Sequence, residues 1–407
     1  MSMDMDSDDS DGSLTSYWSS GSSERGFADE SKITISVGEF IPQPRYNVEA
    51  ERDLLRGRLQ LDAGRIVRDP EMIAQRLHLD EVDGGFVRSC RAACLEDCSR
   101  QLDILERLAS KANRPQGNED ECDRIPRIER LMYPHLNGLF KFISDYRHHS
   151  QATTSTSRGM WRCSRIQNFT GEEHTAGFPR IFPDGVALAS GCSHDSFYWR
   201  DVRAFVGCGA SNLDGEPSDT ASVPEMVVRG MDYARLHLSA DPFRVFSVGL
   251  LLYGFHFMVA MFDQDGVCLS APYHLRDDLD IFIRVIHQLG YGLTDVELGR
   301  DPTVELLHLP RDDQLRLALD VIVEKQVESI ISRKFPSYKI TLKTSDTYSM
   351  DVITKHIETD ATTWVTIGPP IWSSLSYLGR GGPHSEKCVA AEPPGFRNSH
   401  LYGFKAC

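Results

Sequence analysis

Three groups of residues in this 407-residue chain have types and spacings that could do chemistry. The first is Pro183-Asp184, followed by the apolar stretch from Asp201-Val202 to Val206. A metal-dependent phosphodiesterase can be built from an Asp at one strand start, then a carboxylate and a Lys two residues apart on the next strand. The carboxylates hold a divalent cation, and the Lys helps activate water. Here Gly207 stands at the carboxylate position and Gly209 at the Lys position. Asp184 alone cannot hold a catalytic metal with a base beside it. The pattern reads as a structural α/β unit with a turn Asp, and no metal ligand is assigned.

The second group is Leu375-Ser-Tyr-Leu-Gly-Arg-Gly381, which looks like the opening of a nucleotide-binding glycine loop. Gly379 and Gly381 match the first two glycines of GxGxxG, where a bare backbone lets amides approach ATP phosphates. The third position falls on His384, and Lys387 lies too near the loop for the usual two-strand geometry. Phosphoryl transfer also needs a catalytic-loop Asp and a metal-binding Asp. The sequence contains no HRD and no DFG tripeptide, and His274-Leu-Arg-Asp277 precedes the glycines out of register. No catalytic residue is therefore assigned, and Gly379 and Gly381 are the only cofactor-binding candidates.

The third group is Cys90, Cys94 and Cys98, spaced to share one helical stripe. Zinc requires further ligands at CxxC or HxxxH spacing, and none is present. These thiols read as core positions. The ten cysteines show no disulfide rhythm and no secretory signal precedes them, which points to a cytoplasmic or nuclear protein. His148-His149 reads as a solvated helix end, and His237 and His256 as satisfied core or edge histidines. Arg300-Asp301 reads as a cap for the turn before Pro302. The sequence has no GxSxG elbow, no GxxxxGK[ST] loop and no HExxH.

The elements that must position these residues follow from periodicity. Residues 1–46 are Ser-, Asp- and Gly-rich at their start and read as a disordered acidic tail and lead-in. Residues 47–151 carry apolar residues at helical spacing, through Ala50–Val67, Cys90–Leu108 and Ile125–Tyr146. A Ser/Thr linker follows. Residues 160–310 read as an α/β domain, with a turn and strand at Phe182–Leu188 and a strand at Phe197–Val206. A helix with Ser222 as N-cap runs to Leu238, three strands fill Phe243–Leu269, and a second helix runs from Asp278 to Leu289. Turns are expected within Gly249–Gly254 and at Asp265-Gly266. Residues 311–382 bring an ambiguous helix at Leu315–Ile331, strands at Tyr338–Lys343 and Thr363–Ile367, and then the glycines. Residues 383–407 read as a second disordered tail.

The fold class expected is therefore α+β or mixed α/β, with an N-terminal helical region before a mixed sheet. The apolar fraction of 41% suits a substantial core. The run Val245–Phe262 contains Gly249, Gly254 and His256, so it reads as two buried strands and not as a membrane span. A net charge of −15 disfavours attraction to nucleic acid and anionic membranes unless a local basic patch overrides it, so neither is expected; a protein partner is possible.

Four short motifs carry a resemblance: Trp199-Arg-Asp-Val202, Tyr233-Ala-Arg235, Phe262-Asp-Gln-Asp-Gly266 and Leu298-Gly-Arg-Asp-Pro302. In this order they resemble the region preceding the kinase lobe in the fungal-type protein kinase family. The resemblance covers roughly residues 180 to 305 and recurs weakly near 364 to 381. It implies that 160–310 is the accessory domain of that family and that 311–382 begins an incomplete kinase N-lobe. A complete family member would use ATP and Mg²⁺; no cofactor is expected for this chain. The expectation is a catalytically incomplete protein whose accessory domain is regulatory or partner-binding, with a reading frame that stops early. The alternative is a Ser/Thr kinase whose catalytic part is missing from the gene as read.

Overall fold

The computed structural model describes residues 50, 52–53, 57, 65–114, 121–150, 160–163, 181–189, 197–215, 223–306, 338–342, 362–366 and 388–390. The whole of the expected N-terminal tail and lead-in, the Ser/Thr linker, the helix at 315–331 and both glycines Gly379 and Gly381 lie outside these residues.

A short strand β1 (Ile66–Arg68) precedes helices α1 (Pro70–Arg76), α2 (Gly84–Asp97), α3 (Ser99–Ala112) and α4 (Glu121–Ser150). Asp69 caps α1 by accepting from the Met72 amide at 2.8 Å, with Pro70 at the first helical position where no amide is needed. Asp83 caps α2 through the amides of Gly85 and Phe86. Then come β2 (Met160–Cys163), β3 (Gly185–Leu188), β4 (Val202–Gly209), α5 (Glu225–Ala240), β5 (Ser247–Tyr253), β6 (His256–Phe262), β7 (Val267–Leu269), β8 (Tyr273–His274) and α6 (Leu279–His287).

The strands form an eight-stranded mixed sheet in the order β1-β7-β6-β5-β4-β3-β2, with β8 paired to β6. The pairs β4/β5 and β1/β7 are parallel. The others are antiparallel. Helix α5 is the crossover between β4 and β5, which a parallel pair requires. The tight β5–β6 turn places Gly254 at φ +57°, where a Cβ would collide with Asn212.

Both sheet faces are apolar, so both are covered. Val186, Phe205, Leu251, Met258 and Phe262 pack with Val227 and Met231 of α5. On the opposite face Ala204, Leu250, Phe257 and Val259 pack with Phe282 and Ile286 of α6, and with the N-terminal helices. Phe140 of α4 lies 5.1 Å from the ring of Trp161 and 5.8 Å from that of Phe282, so α4 is stapled to the same core. Each fully buried large apolar side chain stabilises the fold by about 1.5–3 kcal/mol. A second sheet of four antiparallel strands has the order β12-β11-β10-β9. These are β9 (Val304–Leu306), β10 (Tyr338–Leu342), β11 (Thr362–Thr366) and β12 (Cys388–Ala390).

The mixed α/β class with helices ahead of the sheet is what the structure has. Several local expectations are corrected. Ile66-Val67 ends the stretch read as helical, yet it forms β1, because Ile66 pairs in parallel with Val267 at the open sheet edge. Cys90–Leu108 is not one helix: Cys98 leaves helical geometry between α2 and α3. Unbroken helical spacing predicts Leu95 on a shared side with Leu102, Leu105 and Leu108, but Leu95 is exposed while Leu102 and Leu105 are buried. The strand read as Phe197–Val206 starts only at Val202, after a single 3-10 turn at Trp199–Asp201. Simple alternation along the stretch predicts Val202 on one face with Ala204 and Val206, but a register shift opposite Ala187/Leu188 places it with Phe205. Pro224, not Ser222, stands as the N-cap residue of α5, with no side-chain cap bond. Gly249 sits inside β5 under the Phe205 ring, not in a turn. Within the stretch read as a second disordered tail, Cys388–Ala390 pairs with β11. No helix among the described residues is long and apolar enough to cross a membrane.

Phe257 tests the buried layer directly. Its ring is fully enclosed between Tyr273 and Phe282. Phe257→Asp would place a carboxylate there without a partner, at a cost of at least about 4 kcal/mol, enough to unfold a domain of ordinary stability. Urea unfolding followed by circular dichroism should show no folded baseline for the variant; an unchanged midpoint would contradict this packing.

Candidate functional site

The parallel pair β4/β5 has its carboxyl ends at Gly209 and Tyr253, and α5 begins after β4 on that side. In open α/β sheets this is where chemistry is usually built. The residues assembled there come from four places. Asp184 directly precedes β3, Cys208 lies near the end of β4, Glu129 and Tyr133 come from α4, and Arg229 and Tyr233 come from α5. Four-residue spacing puts Glu129 with Tyr133, and Arg229 with Tyr233, on one face of their helices.

Asp184 is the acceptor at the centre. The Tyr133 hydroxyl donates to its Oδ1 at 2.6 Å, and the Cys208 amide donates to Oδ2 at 2.8 Å. The Tyr233 hydroxyl donates to the same Oδ2 at 3.3 Å. Arg229 Nη1 lies 3.8 Å from Asp184 Oδ2 and 3.4 Å from Glu129 Oε1, and it donates to the Cys208 carbonyl at 2.7 Å. One guanidinium thus serves two carboxylates and a strand-end carbonyl.

The electrostatics follow from burial and like charge. Burial pushes the Glu129 carboxyl up to about 7; Arg229 opposes this, while Asp184 and Asp214 add to it. Burial also raises the Tyr133 and Tyr233 hydroxyls, with the Asp184 charge adding to both, so both remain protonated donors. Burial works against the Arg229 charge, but Glu129 and Asp184 outweigh it and the guanidinium is held in its charged form.

The phosphodiesterase pattern does not assemble. A Cβ on Gly207 would sit 3.0 Å from Met226 Cε and 3.3 Å from Leu251 Cδ2. A Cβ on Gly209 would sit 2.6 Å from Asp214 Oδ2 and 2.9 Å from Met226 Sδ. A side chain at either position would have to displace the side chains of Met226, Leu251 or Asp214 that pack there, and Arg229 supplies the positive charge beside Asp184. Among the described residues no group of three or more His, Cys, Asp or Glu is arranged to hold a metal ion. Asp184 was legible from the sequence; Glu129, Tyr133, Arg229 and Tyr233 were not. Their signal was a polar residue at four-residue spacing inside otherwise apolar helix faces.

Other singled-out residues are structural. Cys90, Cys94 and Cys98 are buried along one stripe, and hydrogen bonds from its two neighbours raise the Cys94 thiol. His237 is fully enclosed, with Nδ1 2.7 Å from Ser247 Oγ and Nε2 2.8 Å from the Val202 carbonyl. Burial lowers its pKa well below the ordinary range, so it is neutral. Asp301 caps its turn by accepting from the Thr303 amide at 2.8 Å and hydroxyl at 2.7 Å. Arg300 instead joins a charge chain: it lies 3.2 Å from Asp241 and 3.0 Å from Asp295. Arg244 lies 3.5 Å from Asp241, and Arg203 lies 3.6 Å from Asp295. In the Tyr233-Ala-Arg235 motif, Arg235 lies 2.5 Å from the buried Asp232, which Arg52 also meets.

The molecule is thus a layered mixed α/β protein whose strand-end site is a closed ion-pair cluster. Residues 187–360, from within β3 to beyond β10, match the family model described as Fungal protein kinase. No curated protein and no solved structure matches the chain.

Asp184→Ala would strand the Tyr133 hydroxyl, the Cys208 amide and part of the Arg229 charge. The expected loss is about 3 kcal/mol of unfolding free energy, read from urea midpoints. With Mg²⁺ or Mn²⁺ and labelled DNA, neither the wild type nor this variant should cleave. Cleavage by the wild type that disappears in Asp184→Ala would reverse the assignment.

Proposed function

We propose that the α/β domain, residues 160–310, is a non-catalytic accessory module of a fungal-type protein kinase, working by regulation or by binding a protein partner. The observation that carries this reading is the packed strand end. The position where a sheet of this kind would do chemistry is filled by Met226, Asp214 and Arg229, while the surrounding core is intact. A maintained core around a strand end occupied by Met226, Asp214 and Arg229, with glycine at both positions where catalytic side chains would stand, fits a scaffold better than an enzyme. The family match supports the kinase context, and the absence of HRD and DFG from the sequence supports a chain without phosphoryl transfer of its own. A net charge of −15 favours a protein partner over nucleic acid or an anionic membrane. Gly379 and Gly381 are then a remnant of an ATP-binding loop.

A second reading is favoured by the same family match: an active Ser/Thr kinase whose catalytic residues are encoded outside these 407 residues. Translating the genomic DNA downstream of the Gly379 codon in three frames separates the two. A continuation bearing HRD and DFG supports the kinase.

Incubating the full chain with labelled ATP, Mg²⁺ and generic Ser/Thr substrates tests the accessory reading. The expected incorporation equals that of Gly381→Ala. Incorporation well above the Gly381→Ala level would overturn it.

A further inference from the structure

The Glu129 cluster joins the helical layers on opposite faces of the sheet. Helix α4 belongs to the layer on one sheet face and α5 to the layer on the other, yet Glu129 and Arg229 approach to 3.4 Å around the strand ends. Arg229 cannot satisfy every carboxylate there. Asp184 holds three hydrogen-bond donors and lies 3.8 Å from the guanidinium, whereas Arg229 is the only charged group paired with Glu129 among the described contacts. The groups facing Glu129 come from every neighbouring element: Arg229 from α5, Asp184 from the lead into β3, and Asp214 from the turn after β4. Tyr133 of α4, Cys208 of β4 and Tyr233 of α5 complete the shell around Asp184.

We propose that Glu129 is a proton-controlled latch: protonated, it lets α4 seat fully against the sheet and α5, and ionised, it loosens α4 because one guanidinium then faces three crowded carboxylates. The inference is independent of the kinase-family reading. Its direction follows from linkage. A carboxyl that is harder to ionise in the folded chain than in the unfolded one stabilises the fold at low pH. That contribution is lost as pH climbs from the ordinary carboxylate range through about 7. The neutral range is therefore the working range of the latch.

Hydrogen exchange of the full chain at pH 6 and pH 8, corrected for intrinsic exchange rates, tests this. Peptides of α4 should lose protection by about tenfold relative to peptides of β5 and β6 between the two pH values. Glu129→Gln should abolish the difference. Asp214→Asn keeps an oxygen for the Ser211 amide, which lies 3.2 Å from Asp214 Oδ2, but removes a like charge. It should move the midpoint of the loosening to lower pH, and so tests the latch even where Glu129→Gln fails to fold. Equal protection of α4 at both pH values in the wild type overturns the proposal. So does a full pH response in Glu129→Gln, which would assign the effect to another group such as His135 on the same helix. An unmoved midpoint in Asp214→Asn also overturns it.

Discussion

The β5–β6 pair is apolar on both faces, and this one constraint shapes the rest of the chain. Leu251, Met258 and Phe262 face one side, and Leu250, Phe257 and Val259 the other. Neither face can meet water without losing about 25 cal/mol for every Å² left uncovered. Helix α5 covers the first face. The second needs more than α6, whose nine residues are too few, and so α2, α3 and α4 are drawn onto the same core. The N-terminal helices are thus part of the sheet's own packing. Trp161 at the sheet edge, set between Phe140 of α4 and the carbonyl of Ile286, marks the seam.

That construction explains where polar groups could survive. Around the strand ends the two helical layers approach each other beyond the edge of the apolar core, and charge can be buried if it is paired. Asp184 is satisfied by hydroxyls and an amide, and Arg229 supplies the positive charge beside it. The glycines of β4 let Met226 come against the strand.

The sheet core was legible in the sequence because its signals are local. Density of β-branched and aromatic residues over Phe243–Leu269 predicts strands, and α6 has one apolar stripe. The strand-end cluster was illegible for the opposite reason. Glu129 and Arg229 lie 100 residues apart, and each looks like a solvated helix position until the fold brings them together. The errors in between were errors of phase. One extra residue at the β4 bulge turned Val202 to the other face, and the break at Cys98 rotated Leu95 outward. Periodicity reads a regular element well and cannot see where the element is interrupted.

The charge chain Arg244–Asp241–Arg300–Asp295–Arg203 has a mechanical meaning. Asp241 ends α5, Arg203 lies in β4, and Arg300 stands just before β9. The backbone repeats the connection, since the Val245 amide bonds the Gly299 carbonyl at 2.7 Å and the Asp301 amide bonds the Phe243 carbonyl at 2.8 Å. The ring of Tyr338 in β10 rests 5.0 Å from that of Phe243. The four-stranded sheet is therefore tied to the end of α5 and to β4 by side chains and backbone together.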